Sequence, residues 1–224
     1  MKKSALALMT TMAFIGTVHA QEPAPQQNLY VGLGLPGVVA LGYAKPVGES
    51  WGLRAEYAGG LKLSQDGTSN GVTYTGSVNA SLFGAFADWY PFGNGFRLVG
   101  GLTANDIKTS LIGAGSGTAT INGKTVNMTN ETFNVDIKFP SSSPYLGIGY
   151  GHQKSNDAGF GLHADIGVMF GTFTSSVTTS LVGKTFSGQT ISQADIDAQT
   201  QNMRNSLTNV NVVPHFAVGA TYRF

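Results

Sequence analysis

The last dozen residues of the chain alternate between apolar and polar or small side chains. Counted back from the C-terminus, every second residue is apolar, namely Phe224, Tyr222, Ala220, Val218 and Phe216. A period of two predicts a β-strand with one apolar face. A final strand that ends on an aromatic residue is typical of bacterial outer-membrane β-barrels, in which it carries the assembly signal. We assign that signal to these five residues. An edge strand of a soluble β-sandwich is the alternative.

Seven earlier segments show the same alternation or are bounded by turn signals. They are residues 29–35, 38–44, 51–63, 73–90, 96–107, 144–152 and 159–174. After the first connection, which is short, long or medium connections (64–72, 108–143, 175–212) alternate with short ones (45–50, 91–95, 153–158). This arrangement is typical of membrane barrels, whereas a soluble sandwich has no reason to place its long loops at one end. The prediction is an all-β fold, an eight-stranded antiparallel up-and-down transmembrane β-barrel with long extracellular loops.

Two of the long connections contain local signals of their own. Asn122-Gly123 between short β-prone runs predicts a tight hairpin in the loop 108–143. In the loop 175–212, Ser192 is a candidate helix cap with Asp195 three residues later. Ile196, Met203 and Leu207 then share one helical face. We therefore predict a short helix in the last loop, packed on the barrel rim.

The first twenty residues have the features of a secretory signal peptide. Lys2 and Lys3 precede an apolar run, and Val18-His19-Ala20 forms a small-residue cleavage site before Gln21. We expect residues 1–20 to be a signal peptide, 21–28 a periplasmic leader and 29–224 the barrel. The expected location is the outer membrane of a Gram-negative cell.

The composition narrows the classes of function. Without Lys2 and Lys3 the chain has 11 basic and 12 acidic residues, so nothing indicates nucleic-acid binding. The sequence contains no cysteine, which excludes disulfides and thiolate metal sites. After residue 20 no run of eighteen apolar residues predicts a transmembrane helix.

The predicted inward faces carry most of the charged chemistry. These residues are Arg54, Glu56, Asp88, Arg97, His163, Asp165, His215 and Arg223. The interior of an eight-stranded barrel is just wide enough for side chains to fill it. Charges in that space should be paired, because an unpaired buried charge costs several kcal/mol. We interpret the set as a polar network that closes the barrel, and a narrow path for a solute is the alternative.

Signals for catalysis and metal binding are weak. Gly123-Lys124-Thr125 lacks the earlier glycine of a phosphate-binding loop. His152, His163 and His215 are not spaced as metal ligands, and no serine is clearly placed beside His163 and Asp165. We expect no enzymatic activity, no cofactor and no metal.

Three stretches resemble a known family of small barrels, the carbapenem-associated outer-membrane protein (CarO) family. They are Pro144 to Tyr150, Gly159 to Gly167 and Asn202 to Asn205, and the spacing from Ser192 to Pro214 is also similar. The chain departs from the family in ending on Phe224, where the family has tryptophan, and in its shorter, less acidic loops. The resemblance implies an eight-stranded barrel without an obvious open channel, and uptake of basic amino acids such as ornithine, with carbapenem entry.

Two functional hypotheses follow. The first is narrow, porin-like uptake of a small solute. The second is a closed barrel whose extracellular loops bind a surface partner. In either case we expect a monomer in contact with outer-membrane lipid and lipopolysaccharide, inserted by the barrel-assembly machinery.

Overall fold

The computed structural model describes residues 27–69, 71–152, 158–207 and 211–224, without the side chains of residues 203, 204, 206 and 207. The predicted signal peptide, six of the eight leader residues and five of the six residues of the turn at 153–158 lie outside these ranges. In chain order the elements are β1 (Asn28–Leu35), β2 (Val39–Val47), β3 (Trp51–Ser69), β4 (Val72–Trp89), β5 (Phe96–Gly115), β6 (Thr118–Ile121), β7 (Lys124–Asn127), β8 (Glu131–Lys138), β9 (Ser142–Tyr150), β10 (Gly159–Phe170), β11 (Thr174–Thr179), β12 (Thr185–Phe186), β13 (Gln189–Thr190), α1 (Gln193–Leu207) and β14 (Val212–Arg223).

Eight of these strands close into a ring. Their order around the ring is β1, β2, β3, β4, β5, β9, β10 and β14, with every neighbouring pair antiparallel. The ring closes because β1 pairs with both β2 and β14, so that Leu33 lies between Val39 and Val218. The eight-stranded up-and-down barrel expected from the alternation is confirmed.

The barrel has two different ends. We call the end that carries 48–50, 90–95 and the start of 151–158 the turn end, and the other the loop end. The first residue of β1 and the last residue of β14 lie at the turn end, where they pair with each other as Asn28 and Arg223. In the part of the chain that the structure describes, the helix is neither long nor apolar enough to cross a lipid bilayer.

The outer face of the barrel is apolar. Its large exposed side chains include Leu33, Leu53, Tyr57, Phe83, Leu102, Leu146, Leu162 and Ile166. Trp51 and Trp89 stack on each other near the turn end with ring centroids 6.2 Å apart. The five residues assigned to the assembly signal also lie on this face, namely Phe216, Val218, Ala220, Tyr222 and Phe224. Such an outer surface is the one expected to contact lipid.

The interior contains two kinds of packing. A cluster of charged side chains occupies the half near the turn end. Towards the loop end it gives way to an apolar cluster of Ala40, Ala58, Leu82, Phe86, Val99, Phe139, Tyr145 and Met169. Because Phe86 and Leu82 share a face with Asp88, β4 contributes to both clusters.

Three strands extend beyond the barrel at the loop end, which corrects the prediction that 64–72 is a polar loop. The ladder between β3 and β4 continues past a register shift at Ala58/Leu61 to the pair Ser69–Val72. Gly71 has φ +76°, a value that favours glycine. The sequence did not indicate this extension, because a strand that is exposed to solvent on both faces has no alternation of apolar and polar residues.

The long loops build a second small core on this extension, which we call the loop module (residues 116–138 and 174–207). Strand β8 pairs with β5, and β11 pairs with β8. The hairpin expected at Asn122-Gly123 is present as β6–β7, and both turn residues have positive φ. The buried apolar side chains of this core are Val72, Ile121, Val126, Met128, Leu181, Ile191 and Ile196.

The predicted helix is also present and begins with the expected cap. The backbone N–H of Asp195 donates to Ser192 Oγ (3.2 Å), and the backbone N–H of Ser192 donates to Asp195 Oδ2 (2.8 Å). This reciprocal pair is a capping box. Ile196 is buried in the loop module, whereas the side chains of Met203 and Leu207 are outside the described residues.

Candidate functional site

Seven of the eight predicted interior residues meet in one buried cluster. Arg54, Glu56, Asp88, Arg97, His163, Asp165 and His215 are each at most 3% exposed. Arg223 differs, because it is half-buried at the end of β14, next to Gly161. Among the described residues no ion pair joins it to the cluster. It is the last residue of β14, at the turn end of the barrel.

Arg54 is the centre of the cluster. Its Nη1 donates to Glu56 Oε2 (2.9 Å), its Nε donates to Asp88 Oδ2 (3.2 Å) and its Nη2 donates to Asp165 Oδ1 (3.3 Å). The guanidinium carbon also lies 4.5 Å from the centre of the Phe86 ring, a cation–π contact. One guanidinium therefore ties together three carboxylates that come from three strands.

Arg97 is a second guanidinium that binds Asp165. Its Nη2 contacts both oxygens of Asp165, at 2.7 Å and 2.8 Å, and its Nη1 donates to the backbone carbonyl of Gly151 (2.5 Å). Its Nε lies 3.5 Å from Asp88 Oδ2. The two arginines thus share two of the three carboxylates, and these hydrogen bonds offset part of the desolvation cost of each buried charge.

Glu56 connects the charged cluster to the apolar cluster. Tyr30 donates its hydroxyl to Glu56 Oε2 (2.9 Å), and His215 Nε2 lies 3.1 Å from Glu56 Oε1. The other ring nitrogen of His215, Nδ1, lies 3.2 Å from the Tyr145 hydroxyl. The chain of contacts Tyr30–Glu56–His215–Tyr145 leaves none of these polar groups without a partner.

Sequence reasoning missed three members of this site. Tyr30 and Tyr145 are buried, and period-two alternation does indicate that they face inward, opposite to their exposed neighbours Leu29 and Leu146. His152 gave no such signal, because it lies two residues beyond the end of β9. It is nevertheless buried, and its ring packs against Tyr30 and His163 with centroids 4.5 Å and 4.9 Å apart.

Glycine makes room for the cluster at one point in particular. A Cβ at Gly149 would lie 2.6 Å from Asp165 Oδ1 and 2.9 Å from Arg97 Cζ. Any side chain there would displace the tightest ion pair in the barrel. The glycine in β9 is thus part of the site.

The chemistry of the cluster is electrostatic. Within the described residues, three carboxylates face two guanidinium groups, and the surrounding hydroxyls and imidazoles contact these ions. The described part of the barrel interior offers no serine beside His163 and Asp165. The arrangement can fix strands to one another and block the lumen.

A second feature lies in the loop module, where a cavity of about 290 Å³ opens between the hairpin, the sheet extension and the helix. Its walls are mainly apolar and carry a few hydroxyl groups and one amide group. The wall residues are Tyr74, Leu111, Thr118, Ala119, Thr120, Ile121, Phe133, Val135, Val177, Thr179, Ile196 and Gln199. No wall residue carries a charge at neutral pH.

Ion pairs hold the module around this cavity. Lys124 Nζ donates to Asp195 Oδ2 (2.7 Å), and Asn122 donates to Asp195 Oδ1 (3.1 Å). Lys124 first, then Ser192 and Asn122, hold the pKa of the Asp195 carboxyl well below its usual value. Lys184 pairs with Glu131, and this contact together with the Ser180 hydroxyl lowers the pKa of Glu131.

The comparison with known protein structures supports the barrel fold. No protein-family model matches the chain, and no curated protein sequence matches it. The crystal structure of Acinetobacter baumannii CarO superposes with a TM-score of 0.57 at 18% identity, and that of A. baumannii CarO2 with a TM-score of 0.58 at 19% identity. Each match covers 91% of this chain and 100% of the other. The fold of this chain is therefore the CarO-like eight-stranded β-barrel.

Proposed function

We propose that this chain is an integral outer-membrane barrel with a closed lumen, which anchors the loop module at the cell surface to bind a partner there. The observation that carries the proposal is the Arg54–Asp165 ion pair, which bridges strands on opposite sides of the barrel. A lumen crossed by a buried ion pair and capped by a packed apolar cluster has little space for a solute. The loops, in contrast, are folded around a core of their own.

Membrane insertion is supported by the outer face. Exposed side chains such as Leu162 (77%) and Phe160 (84%) would be costly in water. They surround strands whose backbone groups are paired around the ring, as the bilayer interior requires. The turn end, where β1 begins and β14 ends, would then face the periplasm, and the loop end would face the exterior.

Uptake of a basic amino acid is the competing proposal, and the resemblance to CarO favours it. A solute on this route would have to separate Arg54 from Asp165 and pass the Phe86 and Tyr145 rings, whose centroids lie 4.9 Å apart. Each step exposes an unpaired buried charge or opens a packed core.

Reconstitution separates the two proposals. Purified barrel in planar bilayers should give no single-channel steps, and ornithine-loaded vesicles should retain their solute. Ornithine efflux that depends on folded protein would overturn the closed-lumen proposal. The surface role is tested on cells that carry the full chain, where Lys124 and Lys184 should react with a membrane-impermeant amine reagent. Absence of labelling on intact cells, with labelling after lysis, would contradict the orientation.

A further inference from the structure

From the geometry of the turn end we infer a second property of the barrel: His152, His163 and Asp165 form a binding site for one divalent transition-metal ion, such as Zn²⁺. Each residue offers a ligand atom, and these atoms all lie within 4.8 Å of one another. The site is independent of the proposed function, because it requires neither a closed lumen nor a surface partner.

The first argument is the set of buried polar atoms without a partner. Both ring nitrogens of His152 and both of His163 are buried and have no hydrogen-bond partner among the residues that the structure describes. A buried imidazole without a partner is costly, so two such rings in contact are suited to bind a ligand. The ring centroids lie 4.9 Å apart with planes inclined by 32°, and a ligand atom of each residue lies within 4.8 Å of one on the other.

The second argument is the distance to the carboxylate. His163 Nδ1 lies 3.6 Å from Asp165 Oδ2, which is too long for a hydrogen bond. Two atoms bound to one tetrahedral zinc at about 2.0–2.1 Å are roughly 3.3 Å apart. The gap between these two groups therefore suits a shared ion, and a ligand atom of His152 lies within 4.8 Å of both.

The third argument is charge. The carboxylates of Glu56, Asp88 and Asp165 outnumber the guanidinium groups of Arg54 and Arg97 by one charge, and Asp88 Oδ1 has no hydrogen-bond partner among the described residues. A bound divalent ion would change the net charge of the cluster from −1 to +1, so the magnitude of the net charge would stay the same. The nearby arginines therefore do not exclude a cation.

The donor types select the metal. Two imidazoles and one carboxylate suit zinc, nickel or copper, whereas magnesium and calcium prefer sites made of oxygen atoms. His152 also lies outside the strands, where φ of +59° turns its ring back into the barrel mouth. The metal would thereby fasten the connection after β9 to β10.

The test uses the full-length mature chain, purified without an affinity tag, folded in detergent and stripped with EDTA. Zinc titrated against a fluorescent zinc chelator should show one equivalent per chain. H152Q and H163Q should each weaken zinc binding at least tenfold. H215Q is the matched control, because it alters the third buried histidine outside the set, and it should bind zinc within twofold of the unsubstituted chain.

Several results would overturn the inference. They are no stoichiometric zinc on the folded chain, unchanged binding in both H152Q and H163Q, or an equal loss in H215Q. Folding of each variant is checked by its heat-dependent mobility on gels. If a variant does not fold, X-ray absorption at the zinc edge of the unsubstituted protein shows how many imidazoles bind the ion. Two imidazole ligands support the site, and a shell without imidazole contradicts it.

Discussion

The Nη2 atom of Arg54 lies 3.3 Å from Oδ1 of Asp165, although the two residues are on strands opposite each other in the ring. Three strands separate β3 from β10 in either direction around the barrel. The contact therefore spans the full diameter, and it does so through one long side chain and one short one. A barrel joined across its axis in this way resists both widening and flattening.

Removing the arginine should destabilise the barrel severely. R54M leaves Glu56, Asp88 and Asp165 with one guanidinium among them, and breaking a buried pair from one side costs about 3–5 kcal/mol. The measurement is urea unfolding in lipid vesicles, followed by tryptophan fluorescence. K62M removes an exposed cation from the same strand and should change the unfolding free energy by less than about 0.5 kcal/mol. Equal losses in the two variants would contradict the account of the cluster.

A glycine pair tests the packing around the same carboxylate. G149A places a methyl group 2.6 Å from Asp165 Oδ1, so the ion pair with Arg97 must move, at a cost of about 1–3 kcal/mol. G100A is the control on the neighbouring strand, because its Cβ would meet only Leu146 Cδ2, at 3.9 Å. We expect a lower urea midpoint for G149A and an unchanged one for G100A. A G149A midpoint that equals that of the unsubstituted chain would show that the cluster is loosely packed.

The barrel could be predicted from the sequence because its signal is local. Residues such as Leu53, Arg54 and Glu56 take their faces from period two alone, so strand positions and inward charges follow without knowledge of partners. The sequence does not predict which of these charged side chains form ion pairs. The pairing of Arg54 with Asp165 depends on strand order and on the stagger of the ring, and neither is encoded in the spacing of the two residues.

The parts that sequence reasoning missed depend on long-range contacts. His152 follows the end of a strand, and only the closed ring brings it against Tyr30 and His163. The spacing of the histidines along the chain gave no sign that His152 and His163 are in contact, because spacing along the chain does not report proximity in space. Strand β8 was missed because its own sequence shows no clear alternation of apolar and polar residues. It forms a strand because it pairs with β5 on one side and with β11 on the other.

Two exposed leucines test the position of the lipid. Leu102, in the barrel part of β5, and Leu63, in the extension of β3, are each 62% exposed. An arginine near the bilayer midplane costs about 2–4 kcal/mol, and one near the interface costs about 0–1 kcal/mol. We therefore expect L102R to lose much more unfolding free energy in vesicles than L63R. Similar small losses for both would place Leu102 outside the membrane.

The loop module should loosen in acid through Asp195. The pKa of this carboxyl is lowered in the folded module, chiefly by Lys124, so its contribution is complete above the unfolded value of about 3.9. The contribution is lost as the pH falls below that value towards the lower folded pKa, because protonation favours the open state. Hydrogen exchange of the α1 amides, corrected for the intrinsic rate, should therefore accelerate between about pH 4 and pH 2. D195N should exchange faster at neutral pH and lose this dependence. Protection in D195N that falls with pH as in the unsubstituted chain would assign the effect to Glu131 or Asp136 instead.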